Sequence, residues 1–174
     1  NVALLALLPG RGESVGAELT NHPHIAGVAF TGGTETAWMI NKTLAAKRGP
    51  IVPFIAETGG LNGLFVDTTA LKEQVIDDVI LSAFGSTGQR CSALRLLFLP
   101  HEVADAYIEG LKGAMDMLLI GDPANPVNDT GPVIDQDARE ILEAHLAACE
   151  AKGQVLHRTP MPSGLNGDYF APTL

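Results

Sequence analysis

The chain has 174 residues, which is enough for one ordinary domain or for parts of two. Hydrophobic residues make up 46% of it and charged residues 18%, so it can bury a core and is not a disordered tail. The formal net charge of −9 argues against a nucleic-acid partner, which would need a basic surface. No apolar run reaches about 20 residues, the length that a membrane-spanning helix needs.

Short apolar runs alternate with helical patterns along the chain, which is typical of an α/β protein with largely parallel sheets and flanking helices. The predicted strands are 2–8, 28–30, 51–56, 64–66 and 94–99. The predicted helices are 14–21, 34–47, 71–84, 103–118 and 138–149. Because the chain enters a buried strand at once and ends without a closing helix, we expect the fold to be incomplete at both ends.

One cysteine and three histidines are predicted to be structural. Cys149 and His145 share an apolar stripe of the last helix, which favours a core position for Cys149 and a core or interface position for His145. His22 and His24 lie in a loop with no matching ligands, so we predict no metal site. Two cysteines make no disulfide framework and favour the reducing cytoplasm.

Two side chains have the chemistry of a nucleophile and a base. Cys91 follows Gly88 and stands next to Arg90, whose charge would favour the thiolate; the alternative is a small apolar core residue. Glu57 ends an apolar strand before a Gly-Gly turn, where partial burial would suit it to general-base work. The alternative for Glu57 is a solvated acid at a strand end.

A glycine turn at residues 30–35 (FTGGTE) joins a strand to a helix. Free N–H groups at the beginning of that helix could hold a phosphate, although the segment has neither the Walker nor the Gly-x-Gly-x-x-Gly spacing. A plain strand-to-helix turn is an equal alternative. The glycines at 10–16 form a looser pattern of the same kind.

Taken together, these segments form a set of spaced motifs. FTGGTE at 30–35, ETGG at 57–60 and GQRC at 88–91 follow one another in that order, and Glu57 and Cys91 are 34 positions apart. GPVI at 131–134 is a further landmark. In these residues the chain resembles the aldehyde dehydrogenase superfamily over essentially its whole length, which implies the aldehyde dehydrogenase-like fold.

The finer likeness is to one branch of that superfamily. IAETGG at 55–60, QRCSALR at 89–95 and GPVID at 131–135 are similar to 1-pyrroline-5-carboxylate dehydrogenases, in particular those of bifunctional proline-utilisation enzymes. General members usually have Glu-Leu-Gly-Gly where this chain has Glu-Thr-Gly-Gly. This likeness implies oxidation of L-glutamate γ-semialdehyde to L-glutamate in proline catabolism.

The resemblance implies a role for each candidate catalytic residue. Cys91 would add to the aldehyde carbon to give a thiohemiacetal and then a thioester, and Glu57 would activate the water that hydrolyses it. Arg90 and Ser92 would bind the substrate carboxylate. The alternative for Arg90 is that it only tunes the thiol or forms a surface ion pair. The asparagine that helps to hold the oxyanion in the family belongs to a segment before Asn1.

The implied cofactor is NAD, with NADP left open, because the strands that distinguish the two in the family are not in the sequence. Thr31, Gly32 and Gly33 would line the adenine and pyrophosphate side. The full set of expected cofactor residues is Gly12, Gly16, Thr31, Gly32, Gly33, Thr58 and Gly59.

The resemblance also implies the domain organisation and the partners. We expect residues 1–57 to be the C-terminal part of the NAD-binding Rossmann-like domain and 58–174 the N-terminal half of the catalytic domain. The parent would be a homo-oligomer with a covalently linked proline dehydrogenase domain, and membrane association of that parent stays open. The alternatives are a dehydrogenase for another aldehyde, such as succinate semialdehyde, or a catalytically silent structural fragment.

Overall fold

The computed structural model describes residues 4–174 and divides the chain into two units that meet in sequence at Gly59 and Gly60. Each unit is described by itself. The helices are α1 (Ala17–Asn21), α2 (Thr34–Ala46), α3 (Lys72–Phe84), α4 (Ala104–Asp116) and α5 (Gln136–Glu150). The strands are β1 (Val28–Gly32), β2 (Phe54–Thr58), β3 (Asn62–Phe65) and β4 (Leu94–Phe98). None of the helices in residues 4–174 is both long enough and apolar enough to cross a membrane.

The first unit is built on a β1–α2–β2 crossover. The two strands are parallel and in register from Val28 opposite Phe54 to Gly32 opposite Thr58. Helix α2 packs on both strands, and it buries Ala37 and Leu44. Because parallel strands joined by a helix end at the same edge of a sheet, the residues that follow β1 and β2 come together.

The second unit contains the main hydrophobic core. Strands β3 and β4 are parallel, and their register shifts between Asn62 and Gly63, where β4 carries one extra residue. The inner face of this sheet packs with α3 and α4. The buried residues of the cluster are Ile76, Val79, Leu94, Tyr107 and Leu111.

The helical periodicity of the sequence predicted α3 and α4 well, since both apolar stripes face this core. Tyr107, Leu111 and Met115 are buried at the expected spacing on α4. Leu71 is an exception: it precedes α3 and its side chain is 65% exposed. A residue just before a helix lies off the stripe that the helix presents, so the periodicity does not apply to it.

The predicted buried strand at 2–8 is wrong for the residues that the structure describes; Val2 and Ala3 lie outside them. Leu4, Leu5, Leu7 and Leu8 are in no strand and are exposed. A run of leucines becomes a buried strand only beside a partner strand, and within residues 4–174 β1 and β2 pair only with each other. Strand boundaries also moved: β1 and β2 each continue two residues further than predicted, and Ile51 is outside β2.

Helix α5 is present, but the core position predicted for Cys149 is not found. Leu146 is the one buried residue among the residues of α5, while Ile141 and His145 are exposed and Cys149 is half-buried. Periodicity gives the direction in which a stripe points, and whether another element covers that stripe depends on the tertiary fold.

Candidate active site

In the first unit, the predicted base and the predicted cofactor residues lie side by side. Glu57 is opposite Thr31, and Thr58 is opposite Gly32, at the carboxyl ends of β2 and β1. The sequence predicted a turn at Thr31 and Gly32, but both residues belong to β1. Glu57 is exposed, so the expected partial burial of its carboxylate is not found in this unit.

The residues after β1 suit a bound phosphate. Gly33 precedes α2 in an extended conformation and provides no side-chain cap, so the N–H groups of the first turn of α2 are left to other acceptors. A Cβ atom added at Gly33 or at Gly59 would meet nothing within 4 Å, which leaves room for a ligand against the backbone. These residues therefore fit the pyrophosphate side of a dinucleotide.

Gly12 and Gly16, the two more distant cofactor candidates, lie in another part of the unit. They are the first and last residues of a π-helical turn, Gly12–Gly16, that leads into α1. A Cβ atom at either position would meet nothing within 4 Å. The structure thus places them in a helical segment and not at the strand ends.

In the second unit, Cys91 lies in a segment that we call the Cys91 turn, residues 85–93. It begins directly after α3 with a tight turn, Gly85–Gly88, whose backbone is not that of a regular helix. Ser86, Thr87 and Gly88 all have left-handed backbone conformations, with φ values of 53°, 55° and 64°. Left-handed φ angles at two non-glycine residues store strain of about 1–3 kcal/mol each and persist only where the surroundings impose them.

Cys91 and both of its neighbours are exposed at the surface of the unit. Arg90 donates from Nε to Oγ of Ser86 at 3.1 Å, so its guanidinium is held along the turn. Ser92 follows directly. The predicted nucleophile and the two predicted carboxylate ligands therefore share one accessible turn, as expected from their adjacency.

Three side chains that the sequence analysis passed over hold this turn. Nδ2 of Asn62 donates to the carbonyl oxygens of Cys91 at 2.7 Å and of Ala93 at 2.9 Å. Arg95 donates to the carbonyl oxygen of Gly88. The Gln89 side chain binds the backbone of Pro132 and Ile134. The predicted strand at 64–66 left Asn62 outside any element, so its amide gave no signal in the sequence; in the structure Asn62 is the first residue of β3.

A cavity of about 580 Å³ lies in the second unit between the end of α3, α5 and the last residues of the chain. It is mostly apolar, and Cys91 is not among its lining residues. His145 and Cys149 face it, and their Nε2 and Sγ atoms are 3.6 Å apart. Among residues 4–174, no three His, Cys, Asp or Glu side chains are grouped to hold a metal ion.

Comparison with known proteins gives consistent matches. A sequence profile for "Aldehyde dehydrogenase family" matches residues 2–174. The chain is 45% identical over 180 aligned residues to the bifunctional protein PutA of Klebsiella aerogenes, an alignment that covers 98% of this chain and 14% of that protein. The chain therefore spans about one seventh of the length of this relative.

Two solved structures superpose closely on the chain. A crystal structure of bifunctional proline utilization A has a TM-score of 0.88 and 54% identity, covering 94% of this chain and 16% of the other. The 1-pyrroline-5-carboxylate dehydrogenase from Thermus with bound NAD has a TM-score of 0.87 and 31% identity, covering 95% and 32%. The predicted fold class, with parallel sheets and flanking helices, is confirmed.

Proposed function

Because the chain belongs to the aldehyde dehydrogenase family, we propose that it carries two catalytic side chains of an NAD-dependent enzyme that oxidises L-glutamate γ-semialdehyde to L-glutamate. Cys91 is the nucleophile and Glu57 the general base. The observation that supports this most is the exposed Cys91 on a strained, hydrogen-bonded turn. The substrate follows from the likeness to proline utilization A and to 1-pyrroline-5-carboxylate dehydrogenase.

The chemistry has two halves. In the first, the Cys91 sulfur adds to the aldehyde carbon as the C=O π bond opens, and the oxygen takes up the thiol proton to give a thiohemiacetal. This adduct then loses a hydride from carbon and the hydroxyl proton to become a thioester. Bound NAD supplies the hydride acceptor for that oxidation. In the second half, Glu57 takes a proton from a water molecule, which attacks the thioester carbon and releases the carboxylic acid with Cys91 as leaving group.

The cofactor residues that we propose lie around the ends of β1 and β2. The N–H groups at the beginning of α2, together with Gly32 and Gly33, would hold the pyrophosphate through backbone donors. Thr31, Thr58 and Gly59 would line the same edge. Gly12 and Gly16 would make more distant contacts from their helical turn.

The substrate carboxylate would be bound by the neighbours of the nucleophile. Ser92 and Arg90 are exposed beside Cys91, and a hydroxyl with a guanidinium suits a carboxylate. The hydrogen bond from Arg90 to Ser86 uses Nε and leaves the two terminal nitrogens for the ligand.

The organisation of the natural protein is part of the proposal. We assign 1–57 to the NAD-binding domain and 58–174 to the catalytic domain. The division of the structure at Gly59 and Gly60 supports a boundary near this position. Since the matched relative is called bifunctional, we propose a linked proline dehydrogenase domain in the natural protein. We also propose that the natural protein self-associates. The two free thiols favour a cytoplasmic location.

Two substitutions in the natural protein that carries this chain test the mechanism. Cys91→Ser should abolish NADH formation from glutamate semialdehyde and leave NAD binding intact, with Cys149→Ser as the matched control that keeps full turnover. Glu57→Gln should slow turnover by about 100- to 10,000-fold and let the thioester accumulate, visible by mass spectrometry as an adduct on Cys91.

Normal turnover by Cys91→Ser would refute the proposed nucleophile.

The substrate is tested by comparing the turnover of the wild-type protein with succinate semialdehyde and with glutamate semialdehyde. A higher kcat/KM for succinate semialdehyde would assign the same chemistry to another aldehyde.

A further inference from the structure

We propose that Asn62 and Gln89 are positioning residues that fix the backbone of the Cys91 turn from two sides, so that the thiol is presented in one place. This inference rests on the proposed role of Cys91 as the nucleophile. Neither amide has to touch the substrate. Their effect passes through the main chain of the turn.

Asn62 holds the C-terminal part of the turn. Both amide hydrogens are used, one on the carbonyl oxygen of Cys91 and one on that of Ala93, at 2.7 and 2.9 Å from Nδ2. Asn62 is the first residue of β3, and its backbone pairs with Leu94 of β4 just before the shift in register. The amide is therefore carried by the sheet, a rigid support for a group that must hold another in place.

Gln89 holds the middle of the turn from the other direction. Its Oε1 accepts from the backbone N–H of Ile134 at 2.8 Å, and its Nε2 donates to the carbonyl oxygen of Pro132 at 3.4 Å. Thr87 adds a hydrogen bond from Oγ1 to the carbonyl oxygen of Gly131 at 3.3 Å. The backbone of the GPVI segment at 131–134 is therefore the surface on which the Cys91 turn docks.

The turn needs support beyond its own hydrogen bonds, in which the N–H of Gln89 binds the carbonyl oxygen of Ser86 and the N–H of Ala93 binds that of Arg90. Ser86 and Thr87 are in strained left-handed conformations, and Cys91 is exposed and does not anchor itself by packing. Strained backbone persists only when neighbours over-determine it. Loss of either amide should let the turn relax, and a displacement of the sulfur by about 1 Å can cost about 100-fold in rate.

Isosteric variants of the natural protein separate hydrogen bonding from shape. Asn62→Asp keeps the size of the side chain but sets a carboxylate against two carbonyl oxygens; we expect kcat to fall by about 10- to 100-fold, with KM for NAD unchanged. Gln89→Ala should lower kcat by a similar factor. Gln89→Glu keeps the acceptor for Ile134 and should lose less.

Asn166→Asp, the same change at an exposed position in the loop after α5, is the matched control and should keep the wild-type kcat. The midpoint of thermal unfolding is measured for each variant, and kcat is compared at a temperature where all are folded. If Asn62→Asp does not fold, the kcat of Gln89→Ala alone tests the positioning role.

Wild-type kcat in folded Asn62→Asp and Gln89→Ala would overturn the positioning role. A fall in the unfolding midpoint without a fall in kcat would do the same, since it would assign the amides to stability alone. Cys91→Ser is run in the same assay. Loss of turnover there, beside normal Asn62 and Gln89 variants, refutes only the positioning role, whereas normal turnover in Cys91→Ser refutes the proposed function.

Discussion

Gly88 is the residue at which the conformation of the Cys91 turn depends most on the absence of a side chain. Its φ is +64°, and a Cβ atom there would lie 2.7 Å from the carbonyl oxygen of Ala83, which belongs to the backbone of α3. A backbone atom in a helix cannot move aside as the end of a long side chain can. Glycine is therefore required at position 88 by both conformation and space.

We expect Gly88→Ala to destabilise the chain by at least about 1–2 kcal/mol, the cost of a left-handed alanine, with the close contact adding to it. Gly113→Ala is the matched control: Gly113 is an exposed glycine inside α4 where a Cβ atom meets nothing within 4 Å. That change should stabilise by about 0.5–1 kcal/mol. Urea unfolding measures both, and equal effects of the two changes would contradict the strain at Gly88.

At this scale the spacing of the motifs predicts a nucleophile at Cys91 and a base at Glu57, but it does not indicate how these residues are held. The left-handed φ of Ser86 and Thr87 could not be predicted, because non-glycine residues adopt it only when tertiary contacts impose it. Asn62 and Gln89 bind residues 29 to 45 positions away, and a partner at that distance is visible only after folding.

Helix α5 shows how one capping residue connects an element to the site. Asp135 precedes α5 in an extended conformation, and its Oδ1 accepts from the backbone N–H of Ala138 at 2.9 Å. Ile134, whose N–H binds Gln89, is the residue just before it. The cap therefore fixes the beginning of α5 directly after the backbone segment on which the Cys91 turn docks.

Removing this cap should cost about 1 kcal/mol, since an alanine leaves the N–H of Ala138 without its side-chain acceptor. We expect Asp135→Ala to lower the free energy of unfolding by that amount in urea, and Asp135→Asn to keep most of it, because asparagine caps as well as aspartate does. A loss in Asp135→Asn equal to that in Asp135→Ala would show that charge, and not the cap, stabilises this end of the helix.

The burial of a helix or strand was predictable where its hydrophobic periodicity agrees with the packing around it. The stripes of α3 and α4 recur at helical spacing and are covered by β3 and β4, so periodicity and burial agree. The run at 4–8 is apolar but exposed, and the apolar stripe of α5 is mostly half-buried, with Ile141 and His145 exposed. Their burial would depend on other elements, which a local pattern does not report.

At the scale of the whole chain, each unit has a sheet of only two strands, β1–β2 or β3–β4, among the described residues. A two-stranded sheet has two open edges, and one of its faces often lacks a cover. Phe65 and Phe98 illustrate this: they stack at 4.5 Å between ring centroids on the outer face of β3–β4, yet both are exposed. The motifs in the sequence identified the family without indicating how much of each sheet is present.

The same exposure predicts weak cofactor binding by the 174-residue chain alone. A small-molecule site commonly encloses about 70–90% of its ligand, whereas Thr31, Gly32, Gly33 and Gly59 are all exposed. Gly33→Asp in the natural protein, which sets a carboxylate at the beginning of α2, should weaken NAD binding by repelling the pyrophosphate.

For the chain alone, we expect calorimetric titration with NAD to give no saturable binding in the micromolar range, and the natural protein to bind under the same conditions. Micromolar binding by the chain alone would show that the edge formed by β1, β2 and α2 is a sufficient site.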